Sequence, residues 1–251
     1  MRIVDRAGLR LLVFPSLEEL GLLCAISTLP LDVRDQAQSE RLLRALGLDP
    51  ARAVTPRQVH HATVLEVHRR KPAQPPEADG LVTDVPGQPL LLRAADCSLI
   101  VVADPVRRAV GVAHAGWRGS ARGIVVNLVK AMAGAYGTRP ADCRAAVGPT
   151  ISARNYPVGP EVPVAFLRNR AWASAHVFAK EGRLHFDLPG ANARFLEEAG
   201  IPPASIEVSD LCTFEAQGLL HSFRRNGPGA GHHGLVAAWP RFAGKAPRER
   251  A

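Results

Sequence analysis

The stretch from residue 90 to 119, LLLRAADCSLIVVADPVRRAVGVAHAGWRG, constrains this chain more than any other. Two apolar runs rich in β-branched residues, Ser98 to Ala103 and Ala109 to Ala113, flank Asp104-Pro105-Val106-Arg107-Arg108. That flanked segment has the composition of a turn between paired strands, so the stretch reads as a β-hairpin. A turn centred near Val106 pairs His114 with about Ser98 and sets Cys97 beside His114 at the open end. Cross-strand neighbours lie roughly 5–8 Å apart, close enough to share one small ligand. A one-residue bulge would change which side chains share a face.

After His114 the chain runs Ala115-Gly116-Trp117-Arg118-Gly119-Ser120 and then becomes periodic. Ile124, Val125, Leu128, Val129 and Met132 are spaced for one face of a helix over 120–134, with Ser120 as its N-cap. Free amides at a helix start attract anions, and Arg118 and Arg122 add charge. A thiol and an imidazole therefore border a candidate phosphate or carboxylate site.

The rest of the 251-residue chain reads as one domain of interleaved strands and helices. Strands are expected at 9–14 and 22–28, with a turn of helix at Leu17 to Leu20. A helix follows over 35–46, capped by Asp35 and stopped by Gly47. Alternation from Arg57 to Val67 predicts a strand, with His60 at its entrance and His61 on the opposite face. His68 to Glu77 is proline-rich and reads as a mobile surface loop. Further strands are expected at 144–147, 205–208 and 235–239, and further helices at 161–167 and 190–199. The basic residues after Phe242 read as a frayed tail.

Charges interrupt every apolar run of the N-terminal segment, which argues against a signal peptide or membrane span and for a cytoplasmic protein. Cys24, Cys97, Cys143 and Cys212 lie far apart without CxxC spacing, as reduced thiols rather than a disulfide framework. Cys24 reads as a small buried hydrophobe. The net charge of +8 is carried by scattered arginines with no basic run interleaved with aromatics, which argues against nucleic acid as a partner.

Five motifs occur in order: QVH at 58–60, ADG at 78–80, ADC at 95–97, HAGWRG at 114–119 and a late CT…SFRR…G. Together they resemble the purine nucleoside phosphorylase family formerly grouped as laccase-domain or multicopper polyphenol oxidase proteins, also called peptidoglycan editing factors. The resemblance, which runs from about residue 55 to 240, implies a single α/β (α+β) domain, taken here as 1–241, with mixed β-sheets packed together and helices on the outer faces; the basic composition of 242–251 reads as a disordered tail. It also implies His60, Cys97 and His114 as zinc ligands. Three protein ligands leave a fourth position for water or substrate, the arrangement of a catalytic zinc. Zinc there would activate water at neutral pH, as adenosine deamination requires.

Phosphorolysis of purine nucleosides, the family's other implied activity, needs phosphate held beneath the ribose. Arg118 and Arg224 are the candidate phosphate binders, and Asp96 is a candidate acid or base or a hydrogen-bond partner of a metal ligand. Two stretches depart from the family pattern. The N-terminal TRxGG-type loop is absent, with Ser27 to Arg34 in its place and Arg34 as the candidate substitute. Where the family has GPxIxxCCYEVG, this chain reads GPTISARNYPVG from Gly148 to Gly159. Three other readings stand beside the phosphorylase. One is a Cys97–His114 hydrolase acting on peptidoglycan precursors. Another is a member that binds zinc or nucleoside without turnover. The third is a copper oxidase, which the single cysteine ligand and scattered histidines disfavour.

Overall fold

The computed structural model describes residues 1–68, 74–168 and 170–241. Its five-stranded sheet runs β1 (Arg2–Arg6), β2 (Leu9–Val13), β3 (Leu23–Ser27), β13 (His233–Ala238) and β6 (Leu90–Ala94), antiparallel throughout. The six-stranded sheet runs β12 (Ile206–Val208), β9 (Arg144–Val147), β7 (Ser98–Asp104), β8 (Ala109–Ala115), β5 (Gly80–Thr83) and β4 (Val64–Glu66). Its outermost pairs are parallel and the inner ones antiparallel. A small hairpin pairs β10 (Val177–Lys180) with β11 (Arg183–Phe186). The helices are α1 (Pro15–Glu18), α2 (Gln36–Ala45), α3 (Trp117–Ala121), α4 (Ile124–Tyr136), α5 (Glu161–Leu167), α6 (Leu188–Glu198) and α7 (Phe223–Asn226).

Strand periodicity sorts the core into three layers. Leu99, Val101 and Ala103 of β7 and Val110 and Val112 of β8 meet Leu90 and Leu92 of β6 and Leu235 of β13 between the sheets. The alternate residues Ile100 and Val102 pack outward against Val125, Leu128 and Met132 of α4 and Phe195 of α6. On the other flank, Leu11, Leu91 and Val236 meet Leu42 and Leu43 of α2. Every residue of β7 and β8 is buried because both faces are covered, which is why their sequence is a continuous apolar run rather than an alternation. The result is the expected α/β domain of packed mixed sheets with helices outside.

Three local expectations are corrected. The hairpin turn holds four residues, 105 to 108, between Asp104 and its partner Ala109, so His114 pairs with Leu99 and Ser98 with Ala115. Asp104 Oδ1 accepts from Val106 N and Arg107 N, both at 2.9 Å, and Arg108 takes a left-handed φ of +53° to close the turn. This register puts Cys97, two residues before Leu99, on the same face as His114; pairing with Ser98 would have separated them. Ser120 is not an N-cap, because the helix has already begun at Trp117. It is buried and its Oγ donates to Asn192 Oδ1 at 2.7 Å, while α4 restarts after Gly123, whose φ is +89°. The strand expected over 57–67 shrinks to Val64–Glu66, and His60 has a left-handed φ of +57°.

The sequence reading omits β1, β6, α7 and the β10–β11 hairpin. Residues 69–73 of the expected mobile loop and 242–251 of the expected tail lie outside the described residues. No helix among the described residues is long and apolar enough to cross a membrane.

The first residue of β13 makes a stability prediction. His233 is fully buried and neither ring nitrogen has a hydrogen-bond partner. Burial, aided by the charges of His221 and His232, pushes its pKa down to about 3. An unfolded histidine titrates near 6.5, so between about 3 and 6.5 the unfolded chain takes up a proton that the folded chain refuses. The stabilisation is complete above pH 6.5 and declines as pH falls. Denaturant titration should show a loss of roughly 2 kcal/mol between pH 6.5 and 5 from this residue, at about 1.4 kcal/mol per pH unit. His233→Leu should reduce the measured slope by this residue's share of about 1.4 kcal/mol per pH unit; an unchanged slope would assign the acid sensitivity elsewhere.

Candidate metal centre

One buried carboxylate organises this end of the molecule. Asp79, just ahead of β5, is inaccessible to solvent and accepts from the successive amides of Val59 (3.1 Å), His60 (3.0 Å) and His61 (2.8 Å). Three neighbouring amides aimed at one anion cannot occur in a strand, where they alternate in direction; they form an anion-binding nest. Hydrogen bonds to a charged group contribute roughly 1.5–3 kcal/mol each, enough to offset the about 1–2 kcal/mol cost of the left-handed His60 backbone. Asp79 also accepts from His114 Nδ1 at 2.8 Å, and its carbonyl accepts from His114 N at 2.7 Å. Although burial favours its protonated form, His114 and the amides hold the Asp79 carboxyl below the usual carboxylate range.

The side chains ordered by Asp79 converge with Cys97. His60, Cys97 and His114 bring their ligand atoms within 4.8 Å of one another. They differ in access, since His114 is buried, Cys97 half-buried and His60 exposed. Burial alone would push the His114 imidazolium down, but its interactions with Cys97 and the Asp79 carboxylate prevail and raise its pKa to about 9. Burial and the neighbouring charges of His114 and Arg118 push His60 down instead, leaving it neutral and able to donate a lone pair.

Gly116 sits opposite Cys97 in the continued hairpin register. A Cβ there would lie 2.7 Å from Cys97 Sγ and 3.2 Å from His60 Nδ1, so glycine keeps open the space the donors face. With its Nδ1 engaged by Asp79, His114 has only Nε2 to offer a metal, the second-sphere arrangement that fixes an imidazole ligand. One thiol and two imidazoles suit late first-row metals, zinc among them. This group could hold a metal ion.

The triad lies on the wall of a cavity of about 790 Å³ that is also lined by Arg34, Gln58, Arg93, Asp96, Trp117, Arg118, Tyr156, Arg224 and His232. Asp96 has a left-handed φ of +87° and is mostly buried. Its Oδ1 accepts from Thr213 Oγ1 and its Oδ2 from Arg224 N, both at 2.6 Å. These bonds tie Asp96 to α7 rather than to a metal donor. Arg224 stacks over the Tyr156 ring at 5.1 Å and donates to Pro157 O at 3.1 Å. Arg118 stacks on Trp117 at 4.4 Å. Arg122 instead donates to His60 O at 2.8 Å, bracing the loop.

All six candidates named from sequence thus line one cavity. Asp79, Gly116 and Tyr156 were not named. The ADG motif and the tyrosine of NYPVG were their only signals, because a carboxylate that binds amides about twenty residues upstream has no local signature. Arg34, offered as a substitute for the missing loop, also reaches the cavity and is held by Asp32, with Arg34 Nη2 2.7 Å from Asp32 Oδ2.

Residues 30–239 match the family model described as multi-copper polyphenol oxidoreductase laccase. A protein of Deinococcus radiodurans named purine nucleoside phosphorylase is 38% identical over 221 residues, covering 88% of this chain and 83% of the relative. One of the same name from Bacteroides thetaiotaomicron is 30% identical over 208 residues, 77% of either chain. Among solved structures, YlmD from Geobacillus stearothermophilus superposes with a TM-score of 0.85 at 27% identity, covering 95% of this chain and 99% of that one. The hypothetical protein YfiH from Bacillus licheniformis gives 0.83 at 30% identity, covering 91% and 96%. The chain belongs to the laccase-domain family of multi-copper polyphenol oxidoreductase description, whose relatives include proteins named purine nucleoside phosphorylase.

Proposed function

We propose that this protein is a zinc-dependent purine nucleoside phosphorylase of the cytoplasm, acting on adenosine- or inosine-type nucleosides, with adenosine deamination as a second activity. The observation that carries the reading is the convergence of His60, Cys97 and His114 on the wall of a large arginine-lined cavity. In phosphorolysis a phosphate oxygen forms a bond to the anomeric carbon, the glycosidic C–N bond breaks, and the purine leaves with the electron pair and takes a proton. Arg118 and Arg224 hold the phosphate, each already fixed by stacking on an aromatic ring and therefore losing little entropy on binding. Asp96 acts through Arg224, whose amide it fixes. Zinc, when bound by the triad, supplies a Lewis acid that stabilises developing negative charge.

The test is a nucleoside panel assayed with and without phosphate, with products identified by mass. Free purine and ribose 1-phosphate should form only with phosphate, and inosine should form from adenosine without it. Release of purine at equal rates in both conditions would contradict phosphorolysis. A second reading draws on a specific geometry, because His114 bonds Asp79 through Nδ1 and its ligand atom lies within 4.8 Å of that of Cys97, the order of groups in a cysteine hydrolase. In that reading His60 has no task.

A further inference from the structure

The cavity carries positive charge at two separate places. Arg118 lies two residues past Gly116, which faces Cys97 and His60, and Arg224 N is bonded to Asp96, the neighbour of Cys97, so this pair belongs to the metal end. Arg34 and Arg93 gather instead about His232, because Asp32 binds both Arg34 and His232 N, and Arg93 pairs across the strands with Gly234, two residues past His232. Arg34, Arg93 and His232 come from distant segments: the loop before α2, the fourth residue of β6 and the residue ahead of β13.

This second place is held in position by its own bonds. Asp32 Oδ1 accepts from His232 N at 3.0 Å, and the Asp32 carboxylate binds Arg34 Nε and Nη2, leaving Arg34 Nη1 uncommitted. Gln58 grips the Arg93 backbone in both directions, with Arg93 N donating to Gln58 Oε1 at 2.9 Å and Gln58 Nε2 donating to Arg93 O at 2.8 Å. The Arg93 guanidinium has no carboxylate in ion-pair range among the described residues. The Nδ1 of His232 is buried without a hydrogen-bond partner. Burial and the charges of Arg34 and Arg93 push His232 down to about 4, so it stands neutral at pH 7 and able to donate one N–H. A backbone this well secured, carrying an unpaired guanidinium, a part-free guanidinium and an orphaned imidazole nitrogen, is short of one multivalent acceptor.

We propose that Arg93, Arg34 and His232 form a second anion subsite that takes a phosphate dianion, carried on the 5′ position of a nucleoside bound between this place and the metal end. A dianion there would accept from the fork of Arg93, from Arg34 and from His232, and both arginine contacts would be charge-assisted. A cavity of about 790 Å³ has room for a nucleoside with an anion at either end. Only the nucleoside part of this inference rests on the phosphorylase reading; the anion subsite does not.

The test is calorimetric titration of the full chain with inorganic phosphate, adenosine and adenosine 5′-monophosphate, in wild type, Arg93→Met and Arg34→Met. The monophosphate should bind at least tenfold more tightly than adenosine to wild type, with most of that preference lost in either variant. If the monophosphate has no advantage but the affinity for inorganic phosphate falls at least tenfold in Arg93→Met, the subsite stands and its source is free phosphate. Identical phosphate and monophosphate affinities in all three proteins, or no binding of either to wild type, would overturn the subsite. Failure of the phosphorylase reading looks different, since adenosine would not bind while the phosphate arm kept its dependence on Arg93. A measurement on wild type alone guards against a variant that does not fold. The His232 ring resonances should shift on phosphate titration, and their immobility would also overturn the proposal.

Discussion

Replacing His60, Cys97 or His114 by alanine should in each case remove most of the bound metal and lower activity by more than about a hundredfold. Partners that merely orient a metal ligand are already worth roughly 10–100-fold, and a lost ligand costs more. The decisive variant is His60→Ala. Cys97 and His114 are needed by a metal site and by a cysteine nucleophile with its base alike, whereas His60 reaches the cluster from a separate loop and serves only the metal reading. Metal analysis and kinetics on the three variants decide between them. Wild type should lose activity to a chelator, regain it with zinc and react slowly with thiol-alkylating reagents. Full activity in metal-free protein, with rapid loss on alkylation of Cys97, would instead establish the hydrolase.

Asp79→Ala should have the second largest effect, and on two readouts at once. It strips the acceptor from three amides and from His114 Nδ1 inside a region closed to solvent. Removing one member of such a buried charged network costs about 3–5 kcal/mol, and the loss of the imidazole's orienting partner should weaken metal binding by roughly 10–100-fold. Denaturant unfolding in chelator gives the first quantity and metal titration the second. Asp79→Asn, which keeps acceptor oxygen but not the charge, should fall between wild type and alanine on both. A metal affinity unchanged in Asp79→Ala would show that the loop at 59–61 and His114 hold their places without it.

What was legible in the sequence follows the range of the interactions involved. The helix at 35–46 declared itself through Asp35, whose side chain accepts from Gln38 N at 2.9 Å, and through the Leu42–Leu43 face. The α4 stripe was equally plain, since all five of its named apolar residues are buried. The exposed β1, with Arg2, Asp5 and Arg6 among its five residues, lacks the apolar content that marks a strand and is held by pairing with β2. The hairpin register turned on whether the loop holds an odd or even number of residues, and Arg108, a residue type seldom left-handed, hid the answer. At the site, alternating apolar residues from Arg57 onward imitate a strand, and partners distant in sequence, the Asp79 carboxylate on three amides and Arg122 on His60 O, hold the backbone away from one. The three residues that converge could therefore be named from the ordered motifs, while Asp79, which ties two of them together, could not.

The placement of the three donors also has a thermodynamic consequence. One stands at the end of β8, one just before β7 and one on a loop hung from the residue preceding β5, so they meet only when the centre of the six-stranded sheet has closed. An unfolded chain offers the same groups but not their convergence. An ion bound here is therefore a ligand of the native state alone, and its chemical potential becomes part of the folding equilibrium. At a free concentration a hundred times its dissociation constant it would add about 2.7 kcal/mol to stability. If the group binds an ion, the melting temperature of this protein should depend on metal supply, and thermal shift against metal concentration should read the site's affinity without any substrate.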